Sequence, residues 1–252
     1  MPQIHCEVAG DGAPLILLHG IGSNSRSWRR QLNAFSKGFK VIAWDAPGFG
    51  RSADPVATVP SIRQYSDDLR ELLDSMELSP AVVLGHSLGG IIAQDFYDAC
   101  PERVRALILS DTTQGGGAEP PEVRLEKLSR RLQMIRTKTP SRLARERAPH
   151  LLSKHAPAEL VEEATGIMAE VRRPGYEFAS IAMSNADTRG VLDNISVPLL
   201  MVWGADDEIT PVWREFPKRA RVEIIQNAGH LCYAEQPESF NSIVLGFLNA
   251  LE

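Results

Sequence analysis

Four apolar residues, Ala81-Val82-Val83-Leu84, run directly into Gly85-His86-Ser87-Leu88-Gly89-Gly90, and a helical stretch follows to Ala99 before Pro101. The pattern reads strand, sharp turn, helix, and its centre spells Gly-x-Ser-x-Gly, the nucleophile elbow. Few other arrangements satisfy it. The glycines let a strained turn pass close to neighbouring backbone, and the turn lifts one serine hydroxyl clear of the chain. A serine held this way is poised to attack a carbonyl. The plainer reading of the segment is a tight strand–helix turn whose serine caps a helix. The partners elsewhere in the chain favour the chemical one.

Strand-like and helix-like stretches alternate around this segment, which predicts an α/β protein with a mostly parallel sheet. Ile4, Cys6 and Val8 alternate as a short edge strand. Leu15 to Leu18, Val41 to Trp44, Val104 to Leu109, Pro198 to Trp203 and Val222 to Ile225 read as further strands. Ile62 to Leu73 has helical spacing with Ser61 as N-cap, and Phe240 to Leu251 reads as a closing amphipathic helix. The pattern breaks between about Thr112 and Asn194. Charged helical stretches there are punctuated by Pro140, Pro149, Pro157 and Pro174, and no strong strand appears. Residues 1–111 and 195–252 are therefore expected to form the sheet-bearing core, with 112–194 inserted as a helical lid.

Two distant segments supply partners for Ser87. Asp207 lies in Gly204-Ala205-Asp206-Asp207, just past a strand, where open α/β sheets place functional groups. His230 follows the last strand. In the order Ser, Asp, His, the imidazole removes the serine proton and the carboxylate fixes its tautomer. Asp206 is expected to face solvent. Asp111, at the end of an earlier strand, stays open as an alternative acid. An oxyanion needs preorganised donors. The backbone N–H of Leu88 is one candidate, and that of Ile21, in His19-Gly20-Ile21-Gly22, is the second. His19 and His86 flank functional backbone and read as hydrogen-bonded structural residues. Asp45 and Arg51 are expected to tie their own loop together, and Cys232 to pack. Trp28 is a candidate for the cavity border, with core packing as its plainer role.

Taken together, His19-Gly20-Ile21-Gly22, Asp45-Ala46-Pro47-Gly48-Phe49-Gly50-Arg51-Ser52, the serine elbow and the Asp207 and His230 loops resemble the α/β-hydrolase superfamily, across essentially residues 15 to 250 outside the lid. Within it the chain is similar to 3-oxoadipate enol-lactonases and small carboxylesterases, supported by Arg173-Pro174-Gly175-Tyr176 and by the run from Gly229 to Pro237. The N-terminus has room for one edge strand where many relatives have two. The resemblance implies an α/β-hydrolase fold and hydrolysis of a carboxylic ester or lactone through an acyl-enzyme, without metal or organic cofactor. C–C hydrolysis, thioester hydrolysis and cofactor-free perhydrolysis use the same triad. Many C–C hydrolases place Asn where this chain has His86. Some receptors use a lidded pocket of this fold to bind a small ligand without turnover.

Composition narrows the partners. With 252 residues, 43% hydrophobic, the chain can bury one sizeable core. No apolar run approaches the roughly 20 residues of a membrane helix. The first residues lack the blocks of a signal peptide, and three scattered cysteines imply neither a disulfide framework nor a zinc site. A cytoplasmic protein is expected. A net charge of −5 argues against nucleic acid as partner. Yet nine basic residues between Arg124 and Arg147 face only Glu126 and Glu146, so this segment is basic on an acidic body. That contrast would attract an anionic substrate, a small acidic lactone for instance, although a solvated helix face is the plainer account. Arg136, Arg172 and Arg173 are the candidates to hold a substrate carboxylate. Oligomeric state is left undetermined by the sequence.

Overall fold

The computed structural model describes residues 3–117, 119–213 and 215–251. Its framework is a seven-stranded sheet in the order β1-β3-β2-β4-β5-β6-β7. The strands are β1 (Cys6–Ala9), β2 (Ala13–Leu18), β3 (Phe39–Trp44), β4 (Ala81–His86), β5 (Val104–Ser110), β6 (Leu199–Gly204) and β7 (Ala220–Ile225). Only β1 runs antiparallel, pairing Cys6 with Trp44 and Ala9 with Val41. The single N-terminal edge strand thus closes one side of the sheet.

The central strands read as unbroken apolar runs because both faces of the sheet are covered. Successive side chains point to opposite faces. Ile16, Leu18, Val83, Leu107 and Leu109 pack on one side with α2 (Ile62–Ser75) and α3 (Leu88–Ala99). Leu15, Leu17, Val82, Leu84, Ala106 and Ile108 pack on the other with α1 (Arg29–Phe35) and α8 (Pro237–Asn249). The hydroxyl of Ser61 accepts from the Gln64 N–H at 3.2 Å and caps α2 as its sequence predicts. Parallel pairing aligns the C-terminal ends of the strands, with His86 opposite Ser110 and Gly204 opposite Ile225. Every loop carrying a candidate residue leaves from that edge.

Between β5 and β6 the chain forms α4 (Pro121–Thr137), α5 (Pro140–Arg147), α6 (Ala158–Met168) and α7 (Arg173–Asn185). Proline stands in the first turn of α4, α5 and α7, where its missing N–H costs no helical bond. The prolines that punctuate the sequence are starts rather than breaks. Arg172 fastens this segment to the body, donating to the carbonyls of Gly50 and Ser52 at 2.6 Å each and to Asp54. Next to it, a Cβ on Gly175 would sit 2.5 Å from Gly48 Cα, so the α7 backbone touches the body there directly.

Candidate active site

Ser87 occupies the turn between β4 and α3 with φ 52° and ψ −114°. This is a left-handed conformation that non-glycine residues adopt at a cost of order 1–3 kcal/mol. The surroundings enforce it. A Cβ on Gly85 would lie 2.2 Å from Gly89 O, and one on Gly89 would lie 2.1 Å from Leu18 O, so neither position accepts a side chain. The Ser87 N–H bonds to Ser110 O at 3.0 Å, and its carbonyl accepts from Thr112 Oγ1 at 2.7 Å. The serine is held by its main chain while its side chain lines a cavity of about 310 Å³.

His230 lines the same cavity, and its Nδ1 lies 2.9 Å from Asp207 Oδ2. Asp207 is fixed by its own loop. Oδ1 accepts from the N–H groups of Ile209 (2.8 Å) and Thr210 (3.0 Å), and Thr210 Oγ1 lies 2.5 Å from Oδ2. Such local side-chain–backbone bonds are how a short Asp-x-x-Thr loop rigidifies itself. Sequence reading overlooked Thr210, whose signal was this spacing.

Asp111 lies close by. One oxygen each of Asp111 and Asp207 and a ring nitrogen of His230 fall within 4.8 Å of one another. Their environments push the two acids apart. Burial works to raise Asp207, but hydrogen bonds from His230 and Thr210 outweigh it and hold the carboxyl below its ordinary range. Burial dominates at Asp111 and pushes it up to about 7. Asp111 Oδ2 accepts from Ser110 Oγ at 2.7 Å and Cys232 Sγ at 3.0 Å, and Oδ1 accepts from the Gly204 N–H at 2.9 Å. Carboxylates with opposed shifts take different roles. Asp207 is the ionised partner of the histidine, and Asp111 is a buried acid that ties β5 to β6. Cys232 is therefore more than packing, since its thiol donates to that acid. The carboxylate oxygens of this cluster are already engaged by protein donors, which accounts for its spacing without a metal ion.

The neighbouring histidines are structural, as expected. His86 Nε2 donates to His230 O at 2.8 Å, linking elbow to histidine loop. Burial, then the His230 charge, lowers its pKa to about 3, so it is neutral. His19 Nδ1 donates to Gly20 O at 2.8 Å and Nε2 accepts from the Ala46 N–H at 3.0 Å, which shapes the loop carrying Ile21. Ile21 lines the cavity. Leu88 opens α3, where the first N–H groups have no partner within the helix.

Several expected residues lie elsewhere. Trp28 is fully buried and packs tilted against Tyr233 with centroids 4.3 Å apart; it does not line the cavity. It supports the His86–Tyr233 wall from behind. Arg136 and Arg173 are exposed and share Glu177, at 2.9 and 2.8 Å. Neither lines the cavity, and Arg172 is spent on the body, so the three arginines singled out in the sequence do not reach the site. Asp45 and Arg51 tie their loop together as expected, through the main chain of Arg51. Asp45 accepts from the backbone N–H groups of Ser25 and Arg51, while the Arg51 side chain turns toward Glu7. Sequence reading missed Glu235, whose carboxylate accepts from the N–H groups of Gly229 at 2.7 Å and Ser153 at 3.0 Å. It joins the histidine loop to the inserted segment.

Residues 15–243 match the sequence model of the Alpha/beta hydrolase family. The chain is 29% identical to 3-oxoadipate enol-lactonase 2 of Acinetobacter baylyi, over 93% of this chain and 88% of that protein. It is 26% identical to a 2-hydroxy-6-oxononadienedioate/2-hydroxy-6-oxononatrienedioate hydrolase of a Pseudomonas species, over 98% of this chain and 92% of that one. Among solved structures it superposes on a thermophilic esterase from Thermogutta terrifontis, malate bound, with a TM-score of 0.89 and 27% identity, covering 99% of this chain and 94% of that one.

Proposed function

The chain belongs to the alpha/beta hydrolase family, and we propose that within it the protein is a serine hydrolase that cleaves a small carboxylic ester or lactone through an acyl-enzyme on Ser87. One observation carries this reading. A serine in a strained elbow and a histidine bonded to a depressed carboxyl open onto the same cavity.

In the proposed reaction Ser87 Oγ attacks the carbonyl carbon while His230 Nε2 accepts its proton. Asp207 holds Nδ1–H and stabilises the imidazolium. The backbone N–H groups of Ile21 and Leu88 receive the oxyanion. Collapse expels the alcohol, which takes the proton back from His230. Water then enters, gives a proton to His230 and attacks the acyl carbon. The second collapse returns the proton to Ser87 and releases the acid. Residues 112–194 act as a lid that excludes bulk water from the acyl-enzyme. These steps draw only on this chain's residues and water.

Hydrolysis of 4-nitrophenyl butyrate by the wild type and by Ser87→Ala tests the reading. The expected result is turnover in the wild type, its loss in the variant, and a butyryl mass added to Ser87 on rapid quenching. Equal turnover by both proteins would sink it.

A further inference from the structure

The charges around the cavity are unevenly satisfied. Lys127 pairs with Glu119 at 2.5 Å, and Glu163 pairs with Arg30 at 2.8 Å, so the two acidic linings are already spent. Arg131 and Arg147 also line the cavity, yet among the described residues neither forms an ion pair. The contact that Arg131 makes is from Nη1 to Met183 Sδ at 3.7 Å, and a thioether is a weak acceptor. Arg124, a third lining cation, has a buried Nε without a partner.

The orientation of α4 sharpens this. Arg124, Lys127, Leu128 and Arg131 recur at helical spacing and all face the cavity. Val123 and Leu125 lie exposed on the outside. The helix keeps Ile135 in the core and holds Arg124 and Arg131 half-buried beside Leu128 at the cavity, while Arg130 and Arg136 stay exposed. Burial lowers the Arg131 pKa; nearby Tyr176 works against that, and the Arg147 charge adds to it. A guanidinium does not lose its proton in a protein near neutral pH. Two like charges turned toward the same half-open cavity repel, and an anion placed between them would relieve that repulsion.

We propose that Arg131 and Arg147 form a carboxylate-binding pair in the roof of the cavity, so that the ester or lactone attacked by Ser87 carries a carboxylate. The proposal rests on the reading of Ser87 as nucleophile and adds the substrate's charge to it. A guanidinium fork matches a carboxylate, and two forks from different helices hold it across both oxygens. The pair replaces Arg136, Arg172 and Arg173 as the residues that recognise charge.

Monoethyl adipate and ethyl hexanoate share a chain and an ester and differ by one terminal carboxylate. We expect wild-type kcat/KM to favour the monoester by at least about tenfold, the factor that one hydrogen bond to a charged group supplies. Arg131→Gln and Arg147→Gln each remove most of that preference through KM and leave ethyl hexanoate within about twofold, while Arg131→Lys falls between. Arg130→Gln, on the outer face, makes the same charge change and keeps the preference. A second arm titrates adipate calorimetrically into Ser87→Ala with and without Arg131→Gln; heat is expected only where Arg131 is present. Ser87-dependent cleavage of both esters without preference, or variants that lose both equally, overturns the arginine pair and leaves the hydrolase reading intact. Arg131-dependent adipate binding with neither ester cleaved supports the pair and removes the ester reading. No cleavage and no binding removes both.

Discussion

The floor and the roof of the cavity are built by different physics. The floor is the C-terminal edge of a sheet in which β4 and β6 are buried along their whole length, and its groups are placed by backbone: a forced φ at Ser87, an Asx-type loop at Asp207, a histidine loop bonded to His86. The roof is four helices that are unevenly buried: α7 buries Tyr176, Phe178, Ala179 and Ala182, whereas α4 buries far less. In α4 only Ile135 is buried, and much of the roof's outer surface is stitched by exposed ion pairs. Close packing fixes geometry to fractions of an ångström. Exposed pairs fix it loosely and contribute little each. The chemistry therefore belongs on the floor, and selectivity can vary in the roof at small cost to folding.

The largest expected effects lie on the floor and separate its two acids. Asp207→Asn should lower kcat for a neutral ester by about 10⁴-fold, as when a triad carboxylate is lost. Asp111→Asn should cost less than about tenfold, because Asp111 does not bond to His230. Comparable losses would make the two acids a single unit. Their pH behaviour also differs. Asp111, raised to about 7 when folded, binds a proton between its unfolded value near 3.8 and that point, so its contribution to stability is fully present below 3.8 and lost as pH rises through about 7. The Tm of Asp111→Asn relative to wild type should therefore improve steadily from pH 4 to pH 7. A flat difference across that window would mean that Asp111 is ionised in the folded protein.

The junction between floor and roof should give an intermediate effect. Glu235 joins the Gly229 and Ser153 N–H groups. Glu235→Gln leaves one carbonyl oxygen for donors that now have two. Losing one charge-assisted bond of roughly 2 kcal/mol should lower Tm by about 4–8 °C in a chain of this size. Because His230 follows Gly229 directly, kcat should fall as well. A lower Tm with unchanged kcat would show that the floor holds its histidine without help from the roof.

The same division explains what the amino-acid sequence made legible. Strands, elbow and triad loops were readable because each depends on local signals: an apolar run, a glycine that a close backbone demands, an acid just past a strand. The helix Leu88–Ala99 appears with its expected bounds. The roof was legible as helix but not as surface. Nine basic residues between Arg124 and Arg147 look alike in sequence, and which face inward depends on how α4 rolls against α7 and on where a carboxylate such as Glu177 stands. Thus Arg136 drew attention among them, while Arg131 and Arg147 did not. Trp28 was ambiguous for the same reason, since its position relative to Tyr233 is a long-range fact.

The smallest expected effect tests the roof's outer surface. Glu177→Gln frees Arg136 and Arg173 together, because that carboxylate serves both. The pairs are largely exposed, so the loss should stay below about 1 kcal/mol, a Tm change of no more than about 4 °C. If either freed guanidinium could swing into the cavity, removing its surface partner would increase the preference for monoethyl adipate over ethyl hexanoate. We expect that preference to stay the same, because neither side chain lines the cavity. An increase would move carboxylate recognition from the underside of the roof to its rim. It would also show that the ion pairs restrain selectivity as well as fasten helices.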